Sequence, residues 1–145
     1  MREFAAYYSI DAAKDLLRDN RYNSGELEIS IEDLMLYCHA SAVAGGWYQD
    51  PKTKEPSKRN FGEIIALIHS ELSEALEGAR QDLQSDKIPK FTAVEEELAD
   101  ALIRIFDVAG ALNLHLGAAF IAKFKYNQTR PDHKLENRAE GGKQF

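Results

Sequence analysis

Cysteine occurs once in the 145 residues, at Cys38, so the chain forms no internal disulfide and offers no thiolate-rich site of the zinc type. Its neighbours Leu34, Met35 and Ala42 place that cysteine on an apolar helix face rather than in an activated thiol pocket. No stretch approaches the roughly 20 apolar residues that cross a bilayer. The first twenty residues carry Arg2, Glu3, Asp11, Lys14 and Asp15 where a secretory signal has an apolar centre. A cytoplasmic protein with no membrane partner is therefore expected. Basic charge is also short: 18 Lys and Arg against 24 Asp and Glu give a net charge of −6, which disfavours nucleic acid as a partner. Gly-rich phosphate loops, dinucleotide fingerprints and nucleophilic triads are missing. The residues three before His39, His69, His115 and His133 are Leu36, Ala66, Leu112 and Arg130, so the Glu-x-x-His pairs of di-iron bundles are missing too.

What the chain does have is helical periodicity, within a length that suits one domain. Ser30 with Asp33 reads as a capping box opening a helix through Ile31, Leu34, Met35, Cys38 and Ala42, which stops at Gly45 and Gly46. Residues 49–60 are polar and aperiodic, an expected exposed loop. Asn60 and Glu63 open the next helix, with Ile64, Ile65, Ile68, Leu72, Ala75, Leu76 and Ala79 on one side; the pattern dissolves after Arg80, and Pro89 excludes a helix there. Thr92 with Glu95 caps the longest apolar stripe, from Val94 through Leu98, Ala101, Leu102, Ile105, Val108 and Ala109 to Leu112. A turn over residues 113–117 precedes a last helix from Ala118 to Asn127, ended by Pro131. A weak helix around Ala12, Leu16 and Leu17, a loop over 21–28 and an irregular polar tail over 132–145 complete the expectation. The fold class is all-α, four to five helices, divided into an extension over 1–29, a helical domain over 30–131 and the tail.

Glu71 and Glu74 share a helix face, as do Glu97 and Asp100 on the following helix. Spacing alone carries nothing: composition provides roughly four such pairs by chance. Position on the wheel says more. Glu71 and Glu74 border the apolar face in a stripe with Leu67 and Gly78, whereas Glu77 points to the far side. Glu97, Asp100, Arg104 and Asp107 line one margin of the next helix, so antiparallel packing would bring four carboxylates together. Like charges at close range oppose one another's ionisation, and a hard divalent cation resolves this, Mg²⁺ or Mn²⁺ suiting an all-oxygen set. Arg104 can pair with Asp100 one turn away or reach a phosphate. Lys123, Asn127 and Arg130 share a face near the end of the last helix, either as a solvated terminus meeting the helix dipole or as anion contacts. Trp47, beside two glycines, can stack on a nucleobase or cap the core.

In this order, His39–Trp47 (HASAVAGGW), Glu71–Glu74 (ELSE), Glu96–Asp100 (EELAD) and Lys123–Pro131 (KFKYNQTRP) resemble the MazG-like all-α nucleoside triphosphate pyrophosphohydrolases, relatives of the dimeric dUTPases and of phosphoribosyl-ATP pyrophosphohydrolase. The likeness covers about residues 30–145 and assigns no role to the amino-terminal segment. It implies a hydrolase that cuts a nucleoside triphosphate between the α and β phosphates, with Mg²⁺ on Glu71, Glu74, Glu97 and Asp100 and with Glu96 as an acid or as a base toward water. It also implies Lys123, Asn127 and Arg130 as phosphate or base contacts, His39 and Trp47 bordering the base, and assembly as a homodimer or homotetramer. His39 and Trp47 lean the expected substrate towards pyrimidine deoxynucleotides, in a role of nucleotide pool housecleaning or pool control. Phosphoribosyl-ATP hydrolysis and a non-catalytic helical interaction module stand as alternatives.

Overall fold

The computed structural model describes residues 9–18 and 23–139. Helix α1 spans Ile10–Arg18, α2 Ser24–Ala44, α3 Phe61–Gln81, α4 Ala93–Ala111 and α5 Leu116–Thr129; a 3-10 turn at Pro131–His133 leads into a short α6, Leu135–Ala139. The architecture is all-α, with no strand among the described residues. No single described helix is long and apolar enough to cross a membrane.

The caps explain most of the boundaries. Asn60 accepts from the Glu63 amide at 3.2 Å and starts α3. The Thr92–Glu95 capping box is complete, with Thr92 N to Glu95 Oε2 at 2.7 Å and Glu95 N to Thr92 Oγ1 at 3.2 Å. Helix α2 differs from the sequence reading: it starts at Ser24, capped by Asn23, whose side chain accepts from Gly25 N at 3.0 Å. Ser30 caps nothing; its hydroxyl donates to the Glu26 carbonyl one turn back at 2.8 Å. The expected loop over 21–28 is thus helical from residue 24, and the expected boundary at residue 30 falls inside a continuous helix. Helix α5 also starts earlier than Ala118, because the Glu32 carboxylate of α2 accepts from the Gly117 amide in its first turn at 2.9 Å. The tail, expected to be irregular, is helical over 135–139, and residues 140–145 lie outside the described part.

Helix α4 packs against both α3 and α2, and α2 against α5. The core is centred on Ile64, Ile68 and Val108, with Ile65 and Ile105 beside them. Two glycines set the approach of α4. A Cβ on Gly78 of α3 would sit 2.9 Å from the Ala93 Cβ, and one on Gly110 would sit 2.7 Å from the His39 Cβ and 3.0 Å from the Met35 carbonyl oxygen. With Gly78 facing Ala93 at one end and Ile64 packing with Val108 at the other, α3 and α4 run antiparallel. The loop over 49–60 is folded: Gln49 pairs with Pro56, and the Asp50 carboxylate accepts from the Lys52 and Thr53 amides at 2.8 Å each.

A candidate metal centre and an adjoining cleft

The antiparallel α3–α4 pair brings one oxygen each of Glu71, Glu97 and Asp100 within 4.8 Å of one another. Glu71 and Glu97 are 6% and 7% exposed, so two carboxylates share a desolvated interface. Burial, a hydrogen bond with Glu71 and repulsion from Glu74 push the Glu97 carboxyl up to about 7. Its Oε2 is buried and has no hydrogen-bond partner. Three converging carboxylates, one of which keeps a buried oxygen without a partner, offer the all-oxygen donor chemistry that a hard divalent cation such as Mg²⁺ takes.

Glu74 is not part of that trio. It is exposed and accepts from the Ser70 hydroxyl at 3.3 Å, and it reaches Glu97 through charge alone. Arg104 does not pair with Asp100: its Nε donates to Glu71 Oε1 across the helix interface at 2.7 Å. Glu96 is buried on the side of the α3–α4 connection. Hydrogen bonds from Ser85 and from Lys87, whose Nζ lies 2.9 Å from Glu96 Oε1, hold its carboxyl below the usual range. The same ammonium is 4.0 Å from Glu97 Oε1.

A cleft of about 240 Å³ runs from Asp100 and Arg104 to Trp47 and Arg59, with Asp107 in its wall. Trp47 is 66% exposed, which removes the core-capping reading of that residue. The Arg59 guanidinium lies 5.8 Å from the Trp47 ring centre and 5.9 Å from that of Tyr48. Asp107 is buried and gathers three groups: His39 Nδ1 at 2.9 Å, the Tyr48 hydroxyl at 2.9 Å and Arg59 Nη1 at 3.5 Å. His39 therefore supports the cleft through Asp107 and is not itself in its lining. Burial and the nearby Asp107 charge raise the Cys38 thiol, so that residue is no activated nucleophile.

Lys123, Asn127 and Arg130 do not line this cleft. Arg130 is held by Asp132, Nε to Oδ1 at 2.9 Å, and the Lys123 ammonium sits 4.9 Å from the Tyr126 ring centre. Asn127 Oδ1 is buried without a partner. Sequence reasoning did not single out Tyr48, Arg59 or Lys87, and it placed Asp107 only in a stripe. The stripe was the available signal for Asp107; the other three come from connections that carry no period. The chain matches no family model, no curated protein and no solved structure.

Proposed function

We propose that the chain is a Mg²⁺-dependent nucleoside triphosphate pyrophosphohydrolase, releasing a nucleoside monophosphate and pyrophosphate. The observation that carries the reading is the convergence of Glu71, Glu97 and Asp100, of which Glu97 has a buried oxygen without a partner and Asp100 also lines the cleft that the exposed Trp47 lines. Glu71, Glu97 and Asp100 would hold the cation, with Glu74 near enough to assist by charge. Bound Mg²⁺ would neutralise the polyphosphate and lower the pKa of water, so that the reaction would need no activated side-chain nucleophile. Glu96 is kept ionised by Ser85 and Lys87, which rules it out as a proton donor and also weakens it as a base toward water. Trp47 presents a ring face for stacking a base, while Asp107 fixes the neighbouring Arg59 and Tyr48.

The leaning towards pyrimidine deoxynucleotides rests on the resemblance of the His39 and Trp47 region. Assembly as a homodimer or homotetramer is supported by uncovered apolar side chains on three helices, among them Leu72 and Leu76, Leu98 and Leu102, and Phe120 and Phe124. Helix α5 packs on α2, so Lys123, Asn127 and Arg130 would meet the triphosphate through such an assembly. The test is pyrophosphate release from each ribo- and deoxynucleoside triphosphate, and from phosphoribosyl-ATP, with and without Mg²⁺. Metal-dependent release from a triphosphate supports the reading. Release from phosphoribosyl-ATP alone favours that activity, and no release from any of them favours a non-catalytic module.

A further inference from the structure

Three acidic oxygens drawn together need positive charge nearby, and the chain supplies some of its own. Arg104 reaches over from α4 to Glu71, and its side chain is 36% exposed while that of Glu71 is 8% exposed. The bond joins the guanidinium Nε to Glu71 Oε1 at 2.7 Å, within the charge-assisted range. Arg104 also lines the cleft that leads to Trp47 and Arg59. One guanidinium thus borders both the carboxylate cluster and the space a ligand would fill.

We propose that Arg104 is a resident counter-cation that competes with a divalent metal ion for Glu71 and, when not engaged there, is an anion contact of the cleft. The inference rests on the metal-dependent reading of the same cluster. Glu71 is the one carboxylate of the trio with an arginine on it, so Arg104 and a divalent ion neutralise the same charge and each weakens the hold of the other. In the metal-free protein the arginine offsets the buried Glu71 carboxylate, which would otherwise face Glu97 with only the Lys87 ammonium, 4.0 Å from Glu97 Oε1, nearby. Away from Glu71, the planar guanidinium is suited to phosphate oxygens, which it binds with two parallel hydrogen bonds. The opposite arrangement, in which Arg104 stays on Glu71 and orients it towards a bound ion, predicts the reverse sign for loss of the arginine.

The signs are read by titrating Mn²⁺ alone into the full chain by calorimetry, for the wild type, Arg104→Gln and Arg104→Lys. Arg104→Gln binds Mn²⁺ roughly five- to tenfold more tightly than the wild type, and Arg104→Lys, which keeps the charge, stays near it. With Mn²⁺ saturating, inorganic triphosphate binds Arg104→Gln roughly tenfold more weakly. Equal or weaker Mn²⁺ binding by Arg104→Gln overturns the competition, and unchanged triphosphate affinity overturns the anion contact. A wild type that binds no Mn²⁺ removes the metal-dependent reading together with this one. Wild-type binding with no tightening in the variant removes this one alone. Circular dichroism of the half-exposed variants confirms that each is folded.

Discussion

His39 and Asp107 lie 68 residues apart in sequence, and their side chains meet at 2.9 Å, fastening the end of α2 to α4. Tyr48 and Arg59, from the connection between α2 and α3, bind the same carboxylate. One buried anion therefore holds the wall of the cleft and, through Arg59, the surroundings of Trp47. Asp107→Asn keeps the shape and removes the charge. We expect it to cost about 2 kcal/mol in urea unfolding and to raise KM for the nucleotide more than it lowers kcat. Unchanged stability and KM would leave Asp107 without the anchoring role.

Gly110 gives a second prediction, since an added methyl would press on the His39 Cβ and on the Met35 carbonyl. A backbone oxygen in a helix has little freedom to retreat. Gly110→Ala should destabilise the chain by about 1–3 kcal/mol despite the better helix propensity of alanine. A gain in thermal midpoint would show that α2 and α4 separate easily.

Protonation of Glu97 gives the third. Its carboxyl titrates at about 7 in the folded chain because burial comes first, Glu71 shares a hydrogen bond and Glu74 repels. The unfolded carboxyl titrates near 4.5. Between these values the folded state binds more protons, so this group's stabilising contribution is complete below about pH 4.5 and is lost as pH rises through about 7. The midpoint of metal-free protein should fall by a few degrees between pH 5.5 and 8.5 relative to Glu97→Gln, roughly the range a single such group covers, and Mg²⁺ should reverse the fall in the wild type only. Parallel profiles for the two proteins would contradict the assignment.

Trp47 is the single tryptophan of the chain, and it stands exposed at one end of the cleft. Its emission should be quenched by a nucleoside triphosphate in the presence of Mg²⁺. Trp47→Ala should weaken nucleotide binding roughly tenfold, in line with the loss of one stacked aromatic, while changing the urea midpoint little. Emission indifferent to nucleotide would place the base elsewhere.

The parts of this fold that were legible are those governed by local chemistry. Asn60 with Glu63 and Thr92 with Glu95 are caps complete within four residues, and the chain starts α3 and α4 where they say. The start of α2 is not legible, because Ser24 and Gly25 look like turn residues and Ser30 looks like a cap. A contact remote in sequence, from the Lys125 ammonium to the Ser24 hydroxyl at 3.4 Å, ties the added first turn to α5. The wheel placed Glu71, Glu97 and Asp100 on facing margins, and these three do converge. The same margin includes Glu74, which is exposed and accepts from the Ser70 hydroxyl instead. On its own helix Arg104 has Asp100 one turn away, whereas the partner it takes is on α3, a choice only the packing makes. Arg59 and Tyr48 were illegible because they reach Asp107 through the folded connection over 49–60, which has no period to read.

Whether Glu71, Glu97 and Asp100 hold a divalent cation is tested most directly by binding of Mn²⁺ to the wild type and to Asp100→Ala, followed by electron paramagnetic resonance. A cation site on these three carboxylates predicts saturable binding by the wild type and a loss of at least about tenfold in affinity in a variant that remains helical. Equal binding by the two proteins, or none by the wild type, would contradict it.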